Sequence, residues 1–183
     1  MKQLEMELRR LRRRQDLFRS LRETIGALVV IAATMVLALT LLFPILQVQR
    51  GSMNPTVRDG DIVVFTTVGQ IERGDIIAFN HGGQVLVKRV IAITGDYIDI
   101  GEDGKVQLNN KYLDEPYISG QIAGKPVSGL PRQIQDNQFF VMGDHRQTSI
   151  DSRDPEIGSV RKDQVIGKAF LRIWPVQRFG IIN

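Results

Sequence analysis

The sequence predicts an all-β domain, barrel-like or built of two packed sheets, behind one N-terminal transmembrane helix. Three observations carry this. An uncharged apolar run of helical length lies near the N-terminus. After Arg50 the chain turns to short runs rich in β-branched residues. Gly, Asp and Asn clusters punctuate those runs at close intervals, and no helical stripe longer than two turns stands among them.

The first element is a basic head. Residues 1–24 hold eight basic groups (Lys2, Arg9, Arg10, Arg12, Arg13, Arg14, Arg19, Arg22) against four acids (Glu5, Glu7, Asp16, Glu23). The chain of 183 residues has 24 Lys+Arg, 20 Asp+Glu and a net charge of +4, so the head supplies the whole excess. The body is neutral, which sets aside a general nucleic-acid binder. Leu4, Leu8, Leu11, Phe18 and Ile25 keep a helical spacing, interrupted by Gln15 and Arg22. Such a head reads as an amphipathic helix on anionic lipid, as a weakly self-associating helix, or as a solvated tail.

The second element is the anchor. No charge occurs from Thr24 to Gln49, and the core from Ile25 to Phe43 is 19 residues long. At a rise of ~1.5 Å per residue it nearly spans a ~30 Å hydrocarbon layer. Thr34 and Thr40 are its polar residues, and a helical hydroxyl can bond back to its own backbone. LFPILQVQRG follows, with bulky groups where a leader-cleavage site needs small ones, so the span reads as retained. The basic head predicts its own side to be the cytoplasm and the body to lie outside. The expected division is a head over 1–24, an anchor over 25–47 and an extracytoplasmic domain over 48–183.

Strands are expected at Ile62–Phe65, Ile76–Phe79, Val85–Ile93, Tyr97–Ile100, Val106–Leu108, Phe139–Met142 and Val165–Trp174. Asp59-Gly60, Arg73-Gly74, Gly82-Gly83, Gly95-Asp96, Asp103-Gly104 and Asn109-Asn110 are the turns. Residues 117–137 read as a long loop. The absence of cysteine removes disulfide scaffolds, thiol nucleophiles and Cys-ligated metals. With only His81 and His145, a multi-histidine metal site is not expected either.

Chemistry concentrates at two places. Gly51-Ser52-Met53-Asn54-Pro55-Thr56 sets a serine in a turn stiffened by proline, which is either an exposed nucleophile or an ordinary turn. Lys88 shares a strand row with Leu86, Val90 and Ala92. Aliphatic neighbours desolvate an ammonium and favour the neutral amine, a base for Ser52. Lys88 reads equally as a strand lysine snorkelling to water. A Ser/His/Asp triad using His145 with Asp144 or Asp151 is the competing arrangement, while His81 sits in a turn.

Four ordered blocks resolve these alternatives by resemblance. They are Ser52-Met53-Asn54-Pro55-Thr56, Arg73-Gly74-Asp75-Ile76-Ile77-Ala78-Phe79, Lys88-Arg89-Val90-Ile91 with Gly95-Asp96, and Gly143-Asp144-His145-Arg146 through Ser149-Ile150-Asp151-Ser152-Arg153. From the span to Trp174-Pro175 the chain resembles a bacterial type I signal peptidase. The resemblance implies an all-β signal-peptidase catalytic core and a membrane-anchored serine endopeptidase that works without metal or cofactor. Its implied substrates are signal-peptide-bearing preproteins, cut at the outer face of the cytoplasmic membrane. It implies Ser52 as nucleophile, Lys88 as general base and Ser149 as the serine orienting the lysine. Asp151 and Arg153 are implied as a supporting ion pair, and Asp144 as a neighbour of Arg89. Two positions depart from the pattern: Arg50 stands where some members have an oxyanion-donating serine, and His145 where asparagine is usual. An inactive relative that binds preproteins, and a Ser/Lys self-cleaving repressor, are the alternatives from other classes. Acylation of Ser52 by a serine-directed lactam separates the first, and the membrane span counts against the second.

Overall fold

The computed structural model describes residues 2–118, 127 and 129–182, with side chains from Phe18 onward. The chain divides into two compact units, Met1–Leu42 and Phe43–Asn183.

The first unit is one continuous helix, α1 (Lys2–Leu42), of 41 residues. Its stretch Phe18–Leu42 is long and apolar enough to cross a membrane, and none of it is buried against protein. The hydroxyls of Thr24, Thr34 and Thr40 donate to the carbonyls of Ser20, Val30 and Leu37 at 2.8–2.9 Å, so no polar side chain from Thr24 to Leu42 needs water. The side chains of Leu4, Leu8 and Leu11, on which self-association of the head would rest, lie outside the described ones.

The second unit contains twelve strands among the described residues: β1 (Ile45–Gln47), β2 (Ile62–Thr66), β3 (Ile76–His81), β4 (Gln84–Ala92), β5 (Tyr97–Ile100), β6 (Val106–Leu108), β7 (Lys111–Tyr112), β8 (Arg132–Gln133), β9 (Gln138–Met142), β10 (Val160–Arg161), β11 (Val165–Trp174) and β12 (Gly180–Ile181). They form two antiparallel sheets. The larger runs β1-β2-β11-β3-β4-β9-β10 with β12 on β11, and the smaller runs β7-β6-β5-β8. All seven strands read from the sequence are present within two residues at either end.

Two expectations are corrected. The expected anchor runs to residue 47, but α1 stops at Leu42 and Ile45–Gln47 pair with Ile62–Val64. Ile45 and Leu46 continue the apolar composition of the helix, and Pro44, which disfavours the helical conformation at Phe43, marks where it ends. The long loop over 117–137 contains β8, which pairs with β5 and is followed by the buried Ile134; residues 119–126 and 128 of that loop lie outside the described ones.

Three apolar clusters hold the unit together. Ile91, Ala92, Ile98, Val106, Phe140 and Met142 join the smaller sheet to β4 and β9. Met53, Val57, Val63, Phe65, Ile76 and Ala78 pin the segment after β1 onto the larger sheet. Ile77, Phe79, Val90, Phe139, Val141 and Val160 form the third. Truncating Phe65 or Phe140, each wholly buried, costs about 3–5 kcal/mol by the usual cavity arithmetic. The pairing of β4 with β9 slips between Val90 and Ala92. Leu86 and Val90 therefore pack in the third cluster while Ala92 packs in the first, and the single row expected from alternation is broken at the bulge.

Candidate active site

Ser52 rides on the loop between β1 and β2. The base of that loop is closed by Val48 N–H donating to Asp61 O at 2.8 Å and Gly60 N–H donating to Val48 O at 2.9 Å. The buried side chains of Met53 and Val57 hold the near side of the loop in the core, which fixes Ser52 between them and the surface. Below it runs β4, whose Lys88 pairs with Ile77 of β3. Lys88 is only 3 % exposed, and its Nζ lies 2.6 Å from Ser52 Oγ.

Burial lowers the Lys88 pKa from its ordinary value to about 8. Asp151 opposes this shift, whereas the charges of Arg153 and Arg50 reinforce it; Asp144 adds a weaker opposition. The amine is thus largely protonated at neutrality but deprotonates in mildly alkaline solution, where Ser52 Oγ–H can donate to it.

The third wall is the turn after β9. Gly143 N–H donates to Asp151 Oδ2 at 2.9 Å, and His145 N–H donates to Ser52 O at 3.0 Å. A Cβ on Gly143 would lie 2.5 Å from the Ser52 carbonyl oxygen and collide with the Ser149 side chain. Only glycine lets this turn approach the serine so closely. His145 reaches the site through its backbone; its ring Nδ1 is 2.8 Å from Thr148 Oγ1, not turned to Ser52. His81 sits at the end of β3, paired with Gln84.

Buried ion pairs brace the turn. Arg89 and Asp144 form a bidentate pair at 2.9 Å, and Arg89 also donates to Gly74 O at 2.7 Å. Thr56 Oγ1 donates to Asp144 Oδ2 at 2.5 Å, which ties the serine loop to the same carboxylate. Asp151 and Arg153 form a second bidentate pair at 2.8–2.9 Å, and Arg153 donates to Arg146 O at 2.8 Å. Removing one partner from such a pair costs about 3–5 kcal/mol, because the other charge stays buried. Ser149 Oγ is buried with no hydrogen-bond partner among the described residues, lying against Gly143. The bond by which it would orient Lys88 is therefore not formed in this structure.

Sequence reading missed a second layer. Arg146 is fully buried and paired with Glu115, and Tyr117 donates to Glu115 at 3.0 Å. The Arg89 guanidinium carbon stands 4.1 Å from the centre of the Tyr117 ring. Burial and the Glu115 carboxylate push the Tyr117 phenol up, so it remains a neutral donor. Arg146 belongs to the motif block, whereas Glu115 and Tyr117 lie in a loop that carries no periodic signal. Among the described residues no cluster of His, Asp and Glu could hold a metal ion.

A serine hydroxyl beside a buried lysine amine, braced by ion pairs, is the constellation of a Ser/Lys hydrolase. Comparison with known proteins makes the class definite. Residues 21–174 match the family described as signal peptidase, peptidase S26. Signal peptidase I S of Bacillus subtilis (strain 168) is 30 % identical over 177 residues, covering 90 % of this chain and 95 % of that protein. Signal peptidase IB of Staphylococcus aureus (strain COL) is 32 % identical over 152 residues, 72 % of this chain and 78 % of that one. The protein named Probable signal peptidase I-2 in Synechocystis is 32 % identical over 148 residues, and the match spans 65 % of its length. A signal peptidase I of known structure from Enterococcus faecalis V583 aligns with a TM-score of 0.48 at 25 % identity, over 56 % of this chain and 98 % of that one. This chain belongs to the signal peptidase (peptidase S26) family.

Proposed function

We propose that the chain is a membrane-anchored serine endopeptidase that removes signal peptides from exported preproteins, with Ser52 as nucleophile and Lys88 as general base. The observation that carries this reading is the 2.6 Å approach of Lys88 Nζ to Ser52 Oγ, on a lysine whose burial lowers its pKa to about 8. Neutral Lys88 takes the Ser52 proton as Oγ attacks the scissile carbonyl. The resulting ammonium then protonates the leaving amine, and the acyl group stays on Ser52. Lys88, neutral once more, deprotonates the water that hydrolyses the ester. Asp144, Arg89, Asp151 and Arg153 support the turn around the dyad, and Ser149 lines it. No step calls for a metal or cofactor.

Three finer features belong to this reading. The apolar part of α1 is the anchor, and the basic head faces the cytoplasm, because translocating eight Lys/Arg groups is disfavoured. The head occupies 1–24, and the domain outside the membrane begins with the strand at Ile45. Lipid is a partner of this domain: Phe170 and Trp174 of β11, Val176 and Phe179 between the strands, and Ile181 of β12 are each about half exposed or more, beside Arg172 and Arg178.

The test is incubation of the purified chain in detergent with a labelled preprotein. Wild type cuts at the signal-peptide junction, and Ser52→Ala and Lys88→Ala do not, with unchanged circular dichroism. Persistent cleavage by Ser52→Ala would remove the proposed nucleophile.

A further inference from the structure

Two residues before Ser52, the backbone adopts an uncommon conformation. Arg50 has φ 69°, the left-handed region in which a Cβ crowds the following carbonyl. It is the only non-glycine residue at positive φ among the described residues from Phe43 to Lys105. Glycine follows at position 51, and a Cβ there would lie 2.7 Å from the Asn54 amide nitrogen. The chain thus makes a sharp reversal at Arg50-Gly51 that delivers Ser52 to Lys88.

One side chain holds that reversal from across the loop. Asp59 Oδ1 accepts the Arg50 N–H at 2.8 Å. Asp61, two residues on, has a different task. Its carboxylate accepts Arg58 N–H at 2.9 Å and pairs with Arg178 at 2.7 Å and Arg172 at 3.3 Å, which fastens the far limb to β11. The descending limb is therefore anchored by Asp61, and Asp59 on that limb reaches over to the ascending one.

We infer that Asp59 is a positioning residue: its carboxylate fixes Arg50 in the left-handed conformation and so sets the Ser52 hydroxyl against Lys88. The inference rests on the assignment of Ser52 as nucleophile. Asp59 bonds the backbone of Arg50 and is not among the charges that shift Lys88, so its loss should misplace the hydroxyl without changing the base. A displacement of about 1 Å at a reacting atom can cost on the order of 10²-fold in rate.

The experiment measures kcat, KM and the pH profile of the full chain in detergent, on a short soluble peptide substrate. Rates are compared at about pH 10, above the Lys88 pKa of about 8, so the charge of Arg50 no longer bears on the fraction of neutral amine. Asp59→Ala is expected to lower kcat by 10- to 100-fold, with KM within about twofold and the profile midpoint unmoved. Asp59→Asn, whose amide oxygen can accept the same N–H, should stay within about threefold of wild type. Adding Arg50→Gly to Asp59→Ala should restore most of kcat, since glycine adopts positive φ unaided. Should Asp59→Ala fail to fold, Asp59→Asn and the double variant decide. The inference is overturned by an Asp59→Ala enzyme within twofold of wild type. It is also overturned by equal losses in Asp59→Ala and Asp59→Asn, or by no rescue on Arg50→Gly. Ser52→Ala run alongside separates the two readings. Residual cutting there ends the assignment of the nucleophile, whereas an inactive Ser52→Ala beside a fully active Asp59→Ala ends only the role of Asp59.

Discussion

Lys88 shows at the scale of one residue how the fold can supply a base while losing stability. Its pKa falls from 10.5 to about 8, mainly through burial. Roughly one molecule in ten then has a neutral amine at pH 7, against fewer than one in a thousand for a free lysine. The product of serine and neutral lysine should make kcat/KM rise with an apparent pKa near 8. A midpoint near ~6.5 would indicate histidine instead. The same shift costs stability. Between pH 8 and 10.5 the unfolded chain binds the proton that the folded chain has released, so stability rises with pH across that window. Below pH 8 both states are protonated and the full penalty remains, about 3 kcal/mol for a shift of this size. Lys88→Met, which keeps the length and discards the charge, should therefore melt higher than wild type at pH 7 while being inactive. The gap should narrow as the pH approaches 10.5. Thermal melts of both proteins at pH 7 and 10 check this, and a Met variant that melts lower at pH 7 would show that the lysine is not penalised.

At the scale of elements, the dyad depends on two loops meeting: the one between β1 and β2, and the turn after β9. Gly143 is where they touch, since its missing Cβ leaves room for the Ser52 carbonyl and the Ser149 side chain. Gly143→Ala should lower kcat by at least tenfold and lower the melting temperature, because backbone rather than a flexible tip must give way. Retained activity with an unchanged melt would mean that the turn can retreat freely. This meeting explains what the sequence disclosed and what it did not. Strands of four or more residues announce themselves by β-branched runs, and Tyr97–Ile100 and Val165–Trp174 begin and end where the pattern does. Pieces of two residues, such as Lys111–Tyr112, Arg132–Gln133 and Val160–Arg161, have no period to read. Ser52 and Lys88 carried local signals, a stiffened turn and an aliphatic row, and the ordered motif blocks brought in Asp144, Asp151 and Arg153. Glu115 and Tyr117 acquire meaning only from their partners Arg146 and Arg89, which lie 31 and 28 positions away in the chain. A loop carboxylate looks the same in sequence whether it faces water or a buried arginine.

For the whole molecule, the consequential question is which side of the membrane holds the site, and the charge distribution speaks to it. The head carries eight basic groups to four acidic ones, while the rest of the chain is balanced at 16 of each. Orientation is set by Lys and Arg close to the span rather than by overall net charge, and Arg9, Arg10, Arg12, Arg13, Arg14, Arg19 and Arg22 all fall within about 16 residues of Ile25. Arg50 and Arg58 are the basic residues within a comparable distance after Phe43. That asymmetry favours the head inside. α1 runs unbroken from Lys2 through the apolar stretch, so the head is continuous with the span and is not separated from it by a hinge. Protease added to spheroplasts should therefore digest the domain from Phe43 onward and spare a fragment containing residues 1–24. Replacing Arg9, Arg10, Arg12, Arg13 and Arg14 with glutamine should remove most of the bias, raise the protected fraction of the domain, and lower preprotein processing in the same proportion. Both readouts must move together if the substrates are met outside. Processing that survives while the domain becomes protected would place the cleavage on the cytoplasmic side, and the proposed orientation would be wrong.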